Sequence, residues 1–416
     1  MGSLPVSELS RFAGLEECPM DEAFAIMQMY ALDQTEGKVS LGAGVYRDDD
    51  EKPWVLPTVR KAEKLLASDD RIDHEYQPMT GYAPFVSAAR DLIFGNPSPA
   101  LTARIASVQT ISGTGACHLG AHFLGETLKP RNVWISDPTW SNHHLIWTVS
   151  APNVQQRLYP YYNATTRSLD FDNMMATLEN DAQPGDIVLL HACAHNPTGL
   201  DPTKAQWQRI ADVCEARNLF PFFDSAYQGF ASGDLDQDAW AIRHFASRNL
   251  ELCVAQSFSK NFGLYGQRVG AFHLLTGAAE VQPGALSQVV RVIRGEISTT
   301  PVYGARIVAE VLNTPALRKE WYGDLRVMSS RLKAMRAALY AELVRLDTPG
   351  TWDHIVNQIG MFSYTGLSEK QVRRLKEDFH MYLMATGRAS IAGLNSKNVA
   401  SVAAAIDAVV RADSTP

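Results

Sequence analysis

The chain has 416 residues, of which 46% are hydrophobic and 20% charged, and its formal net charge is -7 at pH 7. A chain of this length and composition is expected to be globular, with two closely apposed domains. Its net negative charge argues against nucleic acid as a partner. The five cysteines form no C-x-x-C pair, and no segment has the apolar length of a membrane span. We therefore expect no metal site, no membrane partner and a cytoplasmic location.

Five apolar runs of strand length alternate with helical stretches up to about residue 300. Nearly continuous Val, Ile, Leu and Phe are typical of strands covered on both faces, and helices between them suit right-handed crossovers. The predicted strands lie at residues 132–136, 186–192, 219–224, 252–257 and 270–275. The pattern predicts an α/β fold with a largely parallel sheet.

Long helices follow, and then two short strand candidates, "MFSYTG" and "RASIAG". This change of pattern predicts a second, smaller domain that packs through hydrophobic helix stripes.

Polar side chains follow three of the predicted strands. Ligands of open parallel sheets bind beyond the carboxyl ends of the strands, so these side chains are expected to meet at one site. The residues concerned are His191, His195, Asn196, Asp224, Tyr227, Ser257, Ser259 and Lys260.

The stretch "SGTGACHLG" at residues 112–120 indicates a glycine-rich turn that opens a helix, where free backbone N–H groups suit a phosphate. His118 stands where a dinucleotide fingerprint needs its third glycine, so that motif is excluded. A plain tight turn fits the stretch about as well. Ser257, Ser259 and Arg268 could supply further donors to the same phosphate.

Lys260 lies in "SFSKNFGLYGQRVG", among serines and glycines and eight residues before Arg268. A nearby cation disfavours the ammonium form, which helps a lysine form a Schiff base with an aldehyde. Asp224 ends an apolar strand; it is either a helix cap or a carboxylate that keeps a pyridine nitrogen protonated. Together, the lysine, the phosphate site and the carboxylate point to pyridoxal phosphate.

The chain resembles the aspartate aminotransferases, class I aminotransferases among the fold-type-I pyridoxal-phosphate enzymes, over nearly its whole length. The motifs that carry the resemblance stand in the family's order and spacing. They are "LGAGVYRDDDEKPWVLPTVRKAE", "SGTGA", "DPTWSNH", "HACAHNPTGLDPT", "FFDSAYQGF", "SFSKNFGLYGQRVG" and "ATGRASIAGL".

The resemblance implies pyridoxal 5'-phosphate as cofactor, with Lys260, Asp224 and Tyr227 as the catalytic residues. Lys260 would form the Schiff base and Asp224 would pair with the pyridine nitrogen, oriented by His143 and His191. The remaining cofactor-binding residues would be Ser112, Gly113, Thr114, Trp140, Asn196, Ser257, Ser259, Arg268 and Tyr76, the last donated by the neighbouring subunit of a homodimer.

For the substrates, an amino acid and a 2-oxo acid, the resemblance implies binding by Gly44, Trp140, Asn196 and Arg388, and by Arg294 of the other subunit. The sequence departs from the family after Arg294, where "STTP" replaces "SNPP", and also at residues 21–24. We expect transfer from L-aspartate to 2-oxoglutarate, and the alternative is a broad-specificity or aromatic aminotransferase. Enzymes of β- or γ-elimination and a non-catalytic binding protein are the more distant alternatives.

The resemblance further implies a division of the chain. Residues 1–14 would form an N-terminal arm, residues 50–325 the large cofactor-binding domain, and residues 15–49 with 326–416 the smaller α/β domain. It also implies cis peptide bonds before Pro138 and Pro197.

Overall fold

A seven-stranded sheet organises most of the chain in the computed structural model, which describes residues 10–413. Its strands are β2 (Ile105–Ile111), β3 (Asn132–Asp137), β4 (Gln155–Pro160), β7 (Ile187–His191), β8 (Phe220–Ser225), β9 (Leu252–Ser257) and β10 (Val269–Leu275). They lie in the order β2-β10-β9-β8-β7-β3-β4, and β10 runs antiparallel to both its neighbours. The expected α/β fold with a mostly parallel central sheet is confirmed.

All five predicted strands are present within one or two residues of their predicted ends. The prediction missed β2 and β4, which lie at the two edges of the sheet. Strand β4, "QQRLYP", is largely exposed and polar, so it lacks the apolar run that marked the central strands. The short hairpin of β5 (Tyr162–Asn163) and β6 (Ser168–Leu169) follows β4.

Twelve helices lie within residues 10–313, and many of them pack against this sheet. They are α1 (Glu22–Leu32), α2 (Pro57–Ala67), α3 (Ala83–Phe94), α4 (Pro99–Thr102), α5 (Ser112–Thr127), α6 (Asn142–Ser150), α7 (Phe171–Asn180), α8 (Lys204–Ala216), α9 (Leu235–Asp238), α10 (Trp240–Ser247), α11 (Gln282–Glu296) and α12 (Tyr303–Asn313). Helix α8 links β7 to β8 and begins with a capping box between Thr203 and Gln206, which satisfies backbone donors at its first turn.

The last part of the chain is built on the 31-residue helix α13 (Pro315–Arg345). It is followed by α14 (His354–Asn357), β11 (Phe362–Tyr364), α15 (Glu369–Phe379), β12 (Met381–Tyr382), β13 (Arg388–Ser390) and α16 (Val399–Asp413). The two short strands predicted in "MFSYTG" and "RASIAG" are confirmed as the antiparallel pair β11 and β13. Strand β1 (Val39–Ser40) pairs with β12 and so joins the two ends of the chain.

The peptide bonds before Pro138 and Pro197 are cis, as expected. Within residues 10–413, no helix combines the length and the apolar character needed to cross a bilayer.

The close packing of α5 on the sheet predicts that Gly120→Ala destabilises the protein. A Cβ at residue 120 would lie 2.7 Å from the ring of Phe222 and 2.8 Å from that of Phe272, both buried. We expect a loss of about 1–2 kcal/mol in the free energy of unfolding, measured by urea denaturation.

The matched control is Gly323→Ala, an exposed position inside α13 where a Cβ would meet nothing within 4 Å. Alanine favours a helix interior by about 0.5–1 kcal/mol over glycine, so this variant should be slightly stabilised. Equal stability of the two variants would contradict the packing argument.

Candidate active site

A cavity of about 370 Å³ lies at the carboxyl ends of the parallel strands. Each of these strands delivers polar residues to the cavity from the connection that follows it. The predicted site residues that line it are Gly44, Ser112, Gly113, Thr114, Trp140, Asn196, Asp224, Tyr227, Ser257, Ser259, Lys260, Arg268 and Arg388. The cavity therefore brings together nearly all of the residues that were predicted to form one site.

One end of the cavity is formed by the first turn of α5. Ser112 has a positive φ of 63° and its N–H donates to the carbonyl of Arg268. Gly113 approaches β9 so closely that a Cβ there would lie 2.8 Å from the Cβ of Ser257. The Arg268 guanidinium donates to Ser112 Oγ at 2.5 Å. A helix start, hydroxyls and a guanidinium together are groups suited to bind an anion.

Asp224, at the end of β8, is held by a chain of buried hydrogen bonds. His143 Nε2 lies 3.0 Å from Asp224 Oδ2, and His143 Nδ1 lies 2.9 Å from Thr139 Oγ1. The same hydroxyl lies 3.1 Å from His191 Nε2. Burial lowers the pKa of His191 to about 3, so this ring stays neutral. His143 thus contacts one oxygen of Asp224 directly, and His191 is linked to His143 through Thr139.

Lys260 Nζ points towards the other side of the cavity and donates to the carbonyl of Gly44 at 2.9 Å. Desolvation, followed by the positive charges of Arg388 and Arg268, lowers its pKa to about 8. A much larger fraction of its amine is therefore unprotonated near neutral pH than in an ordinary exposed lysine. The cavity is therefore lined by an amine that is suited to act as a nucleophile.

Arg388 lies at the start of β13 and is buried. Its guanidinium donates to Asn196 Oδ1 at 3.3 Å and to the carbonyl of Gly42 at 3.1 Å, and it lies 4.1 Å from the ring centre of Phe362. Its Nε is buried without a hydrogen-bond partner among the described residues. Because a buried donor without a partner is costly, this group is suited to receive a carboxylate ligand.

Two predicted site residues lie outside this cavity. Tyr76 is 83% exposed, and Arg294 is exposed in the last turn of α11. The Arg294 guanidinium donates to Ser298 Oγ at 2.5 Å, four residues along the chain. Thr300, in the divergent "STTP" stretch, is buried and its hydroxyl has no partner within residues 10–413. A single chain therefore leaves Tyr76 and Arg294 apart from the other site residues.

The sequence analysis missed six residues that line the cavity, namely Ala23, Phe24, Asn142, Cys193, Ala226 and Phe362. Ala23 and Phe24 fall in the segment that departs from the family, and the other four lie in quoted stretches of the sequence. Cys193 lies within "HACAHNPTGLDPT" and Phe362 within "MFSYTG", but cysteine and phenylalanine in buried runs are usually core residues.

Cys117, His143 and Asp224 are the only group in residues 10–413 whose ligand atoms lie close enough to hold a metal ion, within 4.8 Å of one another. Burial, more than the charge of Asp224, raises the pKa of the Cys117 thiol well above its usual range. A protonated thiol is a poor metal ligand, so this group is better suited to packing beneath Asp224.

Comparison with known proteins places these features in a family. The family model of class I and II aminotransferases matches residues 36–406. The L-tyrosine:2-oxoglutarate aminotransferase of Aspergillus ustus is 51% identical over 96% of this chain and 78% of its own length.

Two solved structures are similar throughout. The aspartate aminotransferase from the cytoplasm of Saccharomyces cerevisiae is 48% identical with a TM-score of 0.93, over 96% of this chain and 98% of the other. The aromatic-amino-acid aminotransferase of Burkholderia pseudomallei, covalently bound to pyridoxal phosphate, is 41% identical with a TM-score of 0.93, over 96% and 100%. With the family's sequence pattern along nearly all of its length and the same fold around the cavity, this chain belongs to the class I and II aminotransferases.

Proposed function

We propose that the chain uses pyridoxal phosphate to transfer the amino group of L-aspartate to 2-oxoglutarate, which yields oxaloacetate and L-glutamate. The observation that carries the proposal is that Lys260, Asp224 and Arg388, from three separate parts of the chain, line one cavity. The 48% identity to the yeast enzyme supports aspartate as the amino donor. The two substrates would react in turn, with ping-pong kinetics.

The residues of the cavity fit this cofactor. The anion site of Ser112, Gly113 and Arg268 suits its phosphate, and close backbone packing there would be disturbed by any side chain at Gly113. At the opposite side, Asp224 uses Oδ2 for His143, while Oδ1 has no hydrogen-bond partner in the described part of the chain. A pyridine nitrogen is a suitable partner for that oxygen. Thr114, Ser257 and Ser259 would complete the phosphate site.

Pyridoxal phosphate, when bound, supplies an aldehyde that condenses with amines and a ring that withdraws electrons from the substrate's Cα. Asp224 would keep the ring nitrogen protonated, because a carboxylate stabilises a neighbouring cation. Lys260 would hold the cofactor covalently, be released by the incoming amino acid, and then carry a proton away from Cα as a general base. Trp140 would cover one face of the ring.

Tyr227 and Asn196 would hydrogen-bond the cofactor's phenolic oxygen. Burial raises the pKa of Tyr227 well above its usual value, so its hydroxyl remains a donor. Arg388 would bind the α-carboxylate with its partnerless Nε, beside Gly44. Each of these residues would orient one part of the bound cofactor or substrate relative to the reacting amine of Lys260.

A broad-specificity enzyme that also accepts tyrosine is the second candidate. It is favoured by the 51% identity to a tyrosine aminotransferase and by the position of Phe24, an aromatic side chain at the rim of the cavity. Both candidates share the cofactor residues and differ in what binds the substrate side chain.

The proposal includes a homodimer with shared sites, in which the partner supplies Tyr76 and Arg294. The exposure of both side chains outside their own chain's cavity supports it.

Within each chain we propose a large domain of residues 50–325 and a small domain of residues 15–49 and 326–416. The pairing of β1 with β12 supports the joining of both chain ends, although the boundary falls within α13. The arm of residues 1–14 lies largely outside the described residues. A cytoplasmic location is proposed by analogy with the yeast relative.

Measured turnover by the cofactor-loaded protein tests the function directly. We expect the unmodified chain to transaminate aspartate with 2-oxoglutarate, and Lys260→Ala to lose nearly all of this activity because no amine then moves the proton. Lys61→Ala, an exposed lysine, is the control. Near-normal turnover by Lys260→Ala would rule out the assigned role.

Complementation tests the shared site and the role of Arg294 together. We expect Arg294→Ala to lose aspartate activity by about a hundredfold while sparing phenylalanine and tyrosine, because only a distal carboxylate pairs with the guanidinium. Random mixing of Arg294→Ala chains with Lys260→Ala chains should then restore about a quarter of the wild-type aspartate activity, since each mixed dimer holds one complete site.

No restoration by mixing would contradict a shared site. Equal losses for aspartate and tyrosine would show that Arg294 acts on the structure and not on the distal carboxylate.

The lowered pKa of Lys260 predicts its reactivity in the cofactor-free protein. We expect acetylation of Lys260 by acetic anhydride, followed by mass spectrometry, to rise with pH through a midpoint at a pKa of about 8. Arg388→Met should raise this midpoint, because a neighbouring cation disfavours the ammonium form. Arg374→Met, on the exposed face of α15, should leave it unchanged. A midpoint near that of an ordinary lysine, about 10.4, would contradict the assignment.

A further inference from the structure

Helix α1 forms one wall of the cavity. Ala23 and Phe24, in its first turn, line the cavity together with Arg388. The rest of the helix rests on a small cluster in which Ile26 packs with Tyr382 and Met384. Phe24 itself is 68% exposed, so apolar packing holds the middle of α1 more firmly than its first turn.

Two acidic residues begin this helix, and they have different partners. Asp21 is the N-cap, and its carboxylate accepts from the N–H groups of Ala23 and Phe24. Glu22 Oε1 instead accepts from the N–H of Ala385, at 2.7 Å and 363 residues along the chain. Asp21 therefore stabilises α1 itself, whereas Glu22 ties its first turn to another part of the fold.

Ala385 belongs to the turn that leads directly into Arg388. The turn is closed by a hydrogen bond from the N–H of Gly387 to the carbonyl of Met384, and Gly387 has a φ of 81°. The N–H and hydroxyl of Thr365 both donate to the carbonyl of Gly387. The turn is thus held on one side by Thr365, which follows β11, and on the other side by Glu22 of α1.

We propose that Glu22 is a positioning residue for substrate: its carboxylate holds the first turn of α1, with Ala23 and Phe24, in register with Arg388. This inference rests on the proposed function. The charges of Glu22 and Asp21 are felt at the site, since both raise the pKa of Arg388 against the larger lowering effect of burial. The link therefore joins the wall of the cavity to the group that receives the α-carboxylate.

The role differs from that of Arg294 in its consequence for specificity. Every amino acid and 2-oxo acid substrate carries the carboxylate that Arg388 receives, whatever its side chain. Loss of the hydrogen bond from Ala385 to Glu22 should therefore weaken the binding of dicarboxylic and aromatic substrates alike. The effect should appear mainly as a higher KM, because Lys260 and Asp224 are unchanged.

The test compares Glu22→Ala with Glu22→Gln, which keeps an acceptor oxygen and loses the charge. Glu369→Ala is the matched control, because Glu369 is also the first residue of a helix after a capping residue, is exposed, and has no hydrogen-bond partner for its carboxylate among the described residues. In the cofactor-loaded protein we expect Glu22→Ala to raise KM for aspartate and tyrosine by about threefold to tenfold, with kcat changed by less than about twofold. Glu22→Gln should show a smaller rise in KM.

Amide hydrogen exchange gives a second measurement that does not depend on turnover. Residues 23–28 should exchange faster in Glu22→Ala than in the wild type, and at the wild-type rate in Glu369→Ala. The proposal would be overturned if Glu22→Ala had the same KM values or the same amide exchange rates as Glu369→Ala. It would also be overturned if KM rose for only one of the two substrate classes. If the wild type failed to transaminate at all, the proposed function would fall, and the exchange of residues 23–28 would still decide whether Glu22 holds α1.

Discussion

The crowding of positive charge around one cavity is the constraint on which this structure depends. Lys260 and the buried Arg388 face the same space, and Arg268 also lines it. Burial, followed by the positive charges of Arg388 and Arg268, lowers the pKa of Lys260 to about 8, while the arginines keep their protons. The charges that contribute to this lowered pKa also favour anions in the cavity. The amine and its ligands thus depend on a single electrostatic arrangement.

The sheet makes this arrangement possible by directing several connections to one edge. Strands β7, β8 and β9 run parallel, so Asp224 near the end of β8 lies at the same edge as Asn196 and Lys260, which follow β7 and β9. The first turn of α5 then adds backbone donors at the same edge. Buried His143 and neutral His191 lie behind Asp224, and His143 contacts one of its carboxylate oxygens.

Much of this could be predicted from the sequence, for identifiable reasons. Strand β9 was predicted with its observed ends because all of its residues are buried and it begins with the apolar run "LCVA". The direction of β10 could not be read, since a central strand covered on both faces has the same composition whether parallel or antiparallel. Phe24 lines the cavity from a helix that carried no motif. The setting of Tyr76 and Arg294 depends on a second chain, which no pattern within one chain describes.

The antiparallel course of β10 has a consequence for how this protein can evolve. Because β10 returns beside β9, with Gly270 opposite Ser257, the loop that carries Lys260 and Arg268 is fixed at both ends to the same edge of the sheet. Any insertion or deletion in it would shift Lys260 and Arg268 together. Changes are better accommodated in segments that are attached independently of this loop, such as the first turn of α1 and the segment after Arg294, because they leave the positions of Lys260 and Arg268 unchanged.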